Sequence, residues 1–314
     1  MNRFLKPSSA APLAFFRVAI ATLGLIQGLW LVGNINLLYG ADGLIPWSLS
    51  KEIVSPYMPQ LSWLQPLAVA TATEPDIWVY IMMGLYMFSL LGLLLGNYTR
   101  ISATVAWALQ FMFINTGFMG AYGVETFMHI ALFYCILMPV GNMFSIDALM
   151  KPAVKDNEWN TLSVRILQLH LCIVYIASGA EKAMGAQWWN GEAIWQTLMQ
   201  SQFARFDMHW IARYPLLAKC IGWSTLLIEM GYPLYIFWSR SRPYGYCAVV
   251  LLHLSIAIFM GLQLFSTIMI IFNTAAFGWP YIHHAYMKLI YPLSERRRLS
   301  RAGMMATQAF WNIE

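Results

Sequence analysis

Ionisable side chains buried in apolar runs are the residues of this sequence best placed to do chemistry. Such a group costs several kcal/mol at membrane depth, so it needs a partner or a purpose. Lys182 sits near the end of YIASGAEKAMGAQWWNG. A lysine partly desolvated against an apolar wall can shed its proton and act as a base. A lysine at a helix end can equally snorkel to the headgroups. The neighbouring Glu181 is a poor counter-ion, because successive helix positions face different directions. His253 falls in the middle of VVLLHLSIAIF and Glu229 within LLIEMGYPLYIF. A lone glutamate there must be protonated or paired, with Arg17 or Lys182 as the available cation. Arg17, in PLAFFRVAI, stays charged when buried, so a tie to a carboxylate or a bound anion is expected for it.

The remaining candidates are weaker. Glu125 and His129 are one helical turn apart, a spacing that permits a shared ligand, but two side chains are too few for a metal site and none is expected. His170 precedes Lys182 by twelve residues, about 18 Å along a helix, too far for one small site. His283 and His284 read as an interfacial pair. Cys135, Cys172, Cys220 and Cys247 are widely separated and read as buried small hydrophobes. No HExxH, P-loop, GxSxG elbow or dinucleotide fingerprint occurs.

The elements that must hold these groups follow from composition. Of the 314 residues, 59% are hydrophobic and only 11% charged, against about a quarter charged in soluble domains. Mean hydropathy is +0.56. The fold expected is all-α, a polytopic transmembrane bundle of about eight spans near 12–33, 77–96, 101–121, 126–144, 164–184, 215–238, 243–262 and 264–281. The last two flank a tight Gly261–Gln263 stretch and read as two crossings or one re-entrant pair. A single domain is expected, with a bundle over 10–290 and a basic tail over 291–314. Arg3 and Lys6 precede an apolar run too long for a cleavable signal, which reads as an uncleaved first span.

The net charge of +5 is spread over short loops and does not form a patch for nucleic acid. With both termini cytoplasmic, the inner side receives Arg3, Lys6, Arg100, Lys151, Lys155, Arg165, Arg240, Arg242, Lys288, the Arg296–Arg298 run and Arg301. The outer side receives Lys51, Arg205, Arg213 and Lys219, which is the positive-inside pattern of an inner (cell) membrane protein. Two long segments then lie outside, 34–76 and 185–214. Within the second, Ile194, Trp195, Leu198, Met199 and Phe203 recur at helical spacing and predict a helix lying in the interface.

The stretch RILQLHLCIVYIASGAEKAMGAQWWNG resembles the signature of the vitamin K-dependent gamma-carboxylase-like, or HTTM (horizontally transferred transmembrane), family. The resemblance puts the family's base on Lys182. It puts the framing positions on Tyr175, Gly179, Trp188 and Gly191, with Trp189 beside them. PLAFFRVAIATLGL resembles the family's first span, with Arg17. LLIE places an acid at Glu229, and HLSIAIFMGLQLFS carries His253, Phe265 and Ser266. There are departures. Glu181 stands where the animal carboxylases have a second lysine, and Ile256 stands where they have an asparagine. Their large extra-membrane domain has no counterpart in these 314 residues, so carboxylation of a tagged protein is not expected.

The resemblance implies a membrane enzyme with Lys182 as base and His253 and Glu229 in support. Arg17, Tyr175, Trp188, Trp189, Glu125 and His129 are the candidates to bind substrate or cofactor. A reduced, vitamin K-like quinone is the cofactor implied, and a secreted peptide the substrate, at a site facing outward. The alternative is a non-catalytic accessory protein that helps mature or export a secreted antimicrobial peptide of the sporulation-delaying type. A transporter ranks third, because the polar groups gather toward the outer half instead of lining a path.

Overall fold

Along Pro75–Leu95 the buried side chains include Val79, Met83, Tyr86, Leu90 and Leu93. The alternating three- and four-residue steps make one stripe of a helix. Phe88 and Leu91, on other faces, are exposed. The same division recurs along each long helix. Large apolar side chains facing outward over whole helices have no place in water, and lipid is the solvent that accepts them.

The computed structural model describes residues 6–150, 156–203 and 205–290. Arg3, Lys151, Lys155, the Arg296–Arg298 run, Arg301 and the expected tail over 291–314 lie outside the described residues. All regular elements described are helices, with one isolated bridge between Ser8 and Asn157. The chain packs as two compact units. One is Leu13–Lys155; the other joins Met1–Pro12 to Asp156–Glu314.

The first unit carries α1 (Ala11–Val32), α2 (Ile35–Tyr39), α3 (Trp47–Ile53), α4 (Gln65–Ala70), α5 (Pro75–Leu95), α6 (Thr99–Thr116), α7 (Gly123–Leu137) and α8 (Ile146–Leu149). Gly24 lets α1 approach α5, where an added Cβ would meet Leu90 Cδ1 at 3.0 Å. Ala103 and Ala106 are fully buried on α6, small enough to bring backbones close. Outside the long helices, Leu61 N donates to Thr116 Oγ1 at 2.8 Å and Asn115 Nδ2 donates to the Pro59 carbonyl at 2.9 Å. These bonds pin the 34–76 segment onto α6.

The second unit carries α9 (Glu158–Met184), α10 (Ala186–Asn190), α11 (Glu192–Met199), α12 (Pro215–Phe237), α13 (Arg242–Phe259), α14 (Gln263–Asn273) and α15 (Trp279–Ile290). A π-helical turn over Thr274–Gly278 joins the last two into one continuous rod. Its Ala276 carbonyl accepts from Gln168 Nε2 at 2.8 Å. The buried stripe of α9 runs Val164, Leu167, Leu171, Tyr175, Gly179. That of α12 runs Ala218, Gly222, Thr225, Glu229, Tyr232, Ile236. Glu229 therefore points the way the packed face points.

Among the described residues, five helical stretches are long and apolar enough to cross a membrane: Ala11–Val32, Pro75–Leu95, Glu158–Met184, Arg242–Phe259 and Gln263–Lys288. The last two resolve the Gly261–Gln263 region into two stretches of spanning length. Helices also occupy the other predicted segments, with shifted ends. The segment expected over 126–144 begins at Gly123 and stops at Leu137. The interfacial helix expected through Phe203 ends at Met199. Cys135 and Cys172 are buried as expected, but Cys220 and Cys247 are exposed, on the outward faces of α12 and α13.

Candidate functional site

Gly179 decides how closely α9 meets α12. A Cβ there would lie 2.7 Å from Met230 Cγ and 2.9 Å from Met230 N. One turn further along α9, Lys182 reaches across the contact. Its Nζ stands 2.7 Å from Glu229 Oε2, 3.0 Å from Oε1 and 2.5 Å from Ser178 Oγ. The pair is partly shielded, with side-chain exposures of 24% for Lys182 and 9% for Glu229. The Trp188 ring centroid lies 5.5 Å from the ammonium, within cation–π range. Glu229 thus takes its cation from Lys182 and not from Arg17. Pro233, one turn beyond, has no N–H to offer the Glu229 carbonyl, which loosens α12 beside the pair.

Deeper along the same helices lies a chain of buried hydrogen bonds. Asn273 Nδ2 donates to the Met269 carbonyl at 2.9 Å and to the Tyr175 hydroxyl at 2.8 Å. A carbonyl only accepts, so the amide orientation is set, and Asn273 Oδ1 accepts from Tyr232 OH at 2.8 Å. Tyr175 OH lies 2.7 Å from His253 Nε2, and the imidazole tautomer sets which of the two donates. Among the described residues, His253 Nδ1 is buried with no hydrogen-bond partner, and so is Ser266 Oγ on α14. Phe265 packs edge-on to the imidazole, with centroids 5.9 Å apart.

The framing residues of the motif have local work. Trp189 Nε1 donates to the Ala183 carbonyl at 2.7 Å, and the Trp189 carbonyl accepts from Trp223 Nε1 at 2.9 Å. Gly191 adopts φ +86°, the left-handed region that glycine enters freely. A Cβ on it would lie 2.7 Å from Lys219 N, so only glycine lets α10 and α11 fold back onto α12.

Arg17, Glu125 and His129 belong to the first unit. Arg17 is fully buried. Its guanidinium donates to the carbonyls of Val140 at 3.2 Å, Leu93 at 2.6 Å and Leu94 at 2.7 Å, and to that of Phe144. The expected tie to a carboxylate is replaced by a tie to carbonyls at and beyond the ends of α5 and α7, where helix dipoles favour a cation. Arg242 is held in the same way at the end of α12, donating to the Ile236 and Phe237 carbonyls. Glu125 accepts from Gln27 Nε2 at 2.9 Å and from Tyr122 N at 2.8 Å, completing the cap of α7. His129 stacks on Trp107 and lies against Phe111 on α6. His170 packs edge-on against Phe272 in the second unit.

Sequence reading missed Asn273, Tyr232 and Ser178. Asn273 sits in IIFNTAAF, and an amide inside an apolar run carries the same warning as a charge, only more weakly. Ser178 is one turn before Lys182, within reach on a helix face.

The class defined by this architecture is a multi-pass helical membrane protein with a Lys–Glu pair set beside a buried polar chain. The family model for the HTTM domain matches residues 5–278, and the chain belongs to that family. No solved structure matches it.

Proposed function

We propose that this protein is a membrane enzyme that abstracts a proton from a weakly acidic, ring-bearing substrate, with Lys182 as the base. The ion pair between Lys182 and Glu229, at 2.7 Å, is the observation that carries the reading. A protonated lysine is no base, and Glu229 is the group able to relieve it. Moving the proton from Nζ to Oε2 leaves a neutral amine, which can then receive a proton from the substrate. Ser178 Oγ holds Nζ in place from one side, and Trp188 covers it from the other.

A reduced quinone is the cofactor proposed, and the residues present fit one. Its hydroxyl groups need donors and acceptors in an apolar setting. The unpartnered His253 Nδ1 and Ser266 Oγ provide these beside the ring of Phe265. Bound there, a quinol would supply an acidic, oxidisable hydroxyl. The chain's own residues would orient it through His253 and Ser266, and receive its proton at Lys182. With Tyr175 OH donating to Nε2, the neutral imidazole would carry its proton on Nδ1 and offer it to a quinol oxygen.

The test is quinol-dependent oxygen uptake by membranes containing the full chain, supplied with a reduced naphthoquinone. Wild type should exceed empty membranes, and Lys182→Ala, shown to be folded by its melting profile, should not. Uptake in the Lys182→Ala membranes equal to wild type would sink the reading.

A second reading is accessory maturation or export of a secreted peptide. It draws on the exposed aromatic side chains Trp189, Phe206, Trp210 and Tyr214 along the 185–214 region. Aromatic residues are favoured where peptides dock. Full biological activity in folded Lys182→Ala would favour this reading over the first.

A further inference from the structure

The 34–76 segment contains a built groove that the proton-abstraction chemistry does not use. It is open, has a volume of about 690 Å³, and runs between α3 and the start of α4. Its polar end is made by Lys51, Ser62 and Gln65, and its apolar wall by Trp63, Pro66 and Val69.

All three polar groups can donate. Lys51 Nζ donates to Gln65 Oε1, which leaves the Gln65 amide hydrogens as further donors. Among the described residues, no carboxylate lies within ion-pair distance of Lys51. Ser62 is 2% exposed, and its Oγ is buried without a hydrogen-bond partner. A buried hydroxyl is costly to leave unpaired, and Ser62 lines the groove beside Lys51 and Gln65, where an acceptor would satisfy it. The floor is rigid. Ser50 Oγ donates to Gln60 Oε1 at 2.9 Å in the buried layer beneath, and the bond from Leu61 N to Thr116 Oγ1 anchors the strip that carries Ser62.

The apolar end continues into lipid-compatible surface. Val69 is 77% exposed and Trp63 48%. An inorganic anion would satisfy the donors and leave the wall bare. A zwitterionic lipid would cover the wall but bring an ammonium group toward Lys51. One occupant satisfies both ends. We infer that this groove binds a single anionic phospholipid of the surrounding bilayer, its phosphate on Lys51, Ser62 and Gln65 and its acyl chain along Trp63 and Val69. A basic side chain near the membrane surface attracts anionic headgroups, and an amphipathic aromatic such as Trp63 suits the headgroup boundary.

Native mass spectrometry of the full chain in mild detergent tests this, with phosphatidylglycerol, phosphatidylcholine and inorganic phosphate as probes. Phosphatidylglycerol should bind about tenfold more tightly than phosphatidylcholine, the size of one charge-assisted contact. Lys51→Met should abolish that preference, and Ser62→Ala should reduce it. Arg213→Met, a basic residue elsewhere, should leave it intact, and melting profiles should show all three variants folded. Equal binding of the two lipids would overturn the inference in favour of a plain apolar surface. Displacement of phosphatidylglycerol by inorganic phosphate would overturn it in favour of a bare anion site. Retention of the preference in Lys51→Met would overturn it outright.

Discussion

Lys182 Nζ stands 2.7 Å from Glu229 Oε2, across the contact between α9 and α12. The two residues are 47 positions apart in sequence. They meet because Gly179 and the Glu229 stripe lie on the packed faces of their helices. The pair's properties yield the first two predictions.

Removing one partner should cost more than removing both. Lys182→Met leaves the Glu229 carboxylate buried and unpaired, a loss of about 1–3 kcal/mol once the partial exposure of Lys182 is allowed for. The double variant Lys182→Met with Glu229→Leu should recover at least half of that. Melting temperatures in detergent decide it, and strictly additive losses would refute the coupling.

Gly179→Ala should push α9 and α12 apart, because its Cβ would come within 2.9 Å of Met230 N. Overpacking of this kind costs about 1–3 kcal/mol. In that background the Lys182–Glu229 coupling, measured by the same double-mutant cycle, should fall toward zero. A coupling as strong as in wild type would mean the glycine does not set the distance.

Arg17→Lys should be nearly as damaging as Arg17→Met. Four carbonyls, those of Leu93, Leu94, Val140 and Phe144, accept from one guanidinium. An ammonium has three donors and no planar fork, so it cannot serve them all. A loss of about 2–4 kcal/mol is expected in either variant. Wild-type stability in Arg17→Lys would show that the charge alone suffices.

Asn273→Asp should be harmful although it conserves shape. An ionised carboxylate cannot donate to the Met269 carbonyl or to Tyr175 OH, the two bonds that Nδ2 makes. About 1–3 kcal/mol per orphaned buried group is expected. The His253 tautomer should change with it, visible as an altered imidazole nitrogen shift by NMR. An unchanged spectrum would disconnect Asn273 from His253.

What the sequence determined by itself is local. Apolar runs and few charges define a membrane protein, and three- and four-residue steps define helices and their buried faces. The cost of burying ionised groups singles out Lys182, Glu229, His253 and Arg17. Hydropathy marked the helices but not all their ends. It ran past Gly117 and Pro139 because GFMG and MPVG are apolar without continuing the α-helix; the first tightens into a 3-10 turn over Phe118–Gly120.

The tertiary structure decided who meets whom. Sequence left Glu229 with two possible cations, and the close approach at Gly179 gave it Lys182. Sequence asked for a carboxylate at Arg17, and the turns after α5 and α7 supplied carbonyls, which are acceptors that no residue type announces. Asn273 became legible only when α14 set it against Tyr175 and Tyr232. The reason is range. Helix formation and burial are written in neighbours a few residues apart, whereas a hydrogen bond between helices depends on packing that one turn of rotation would undo.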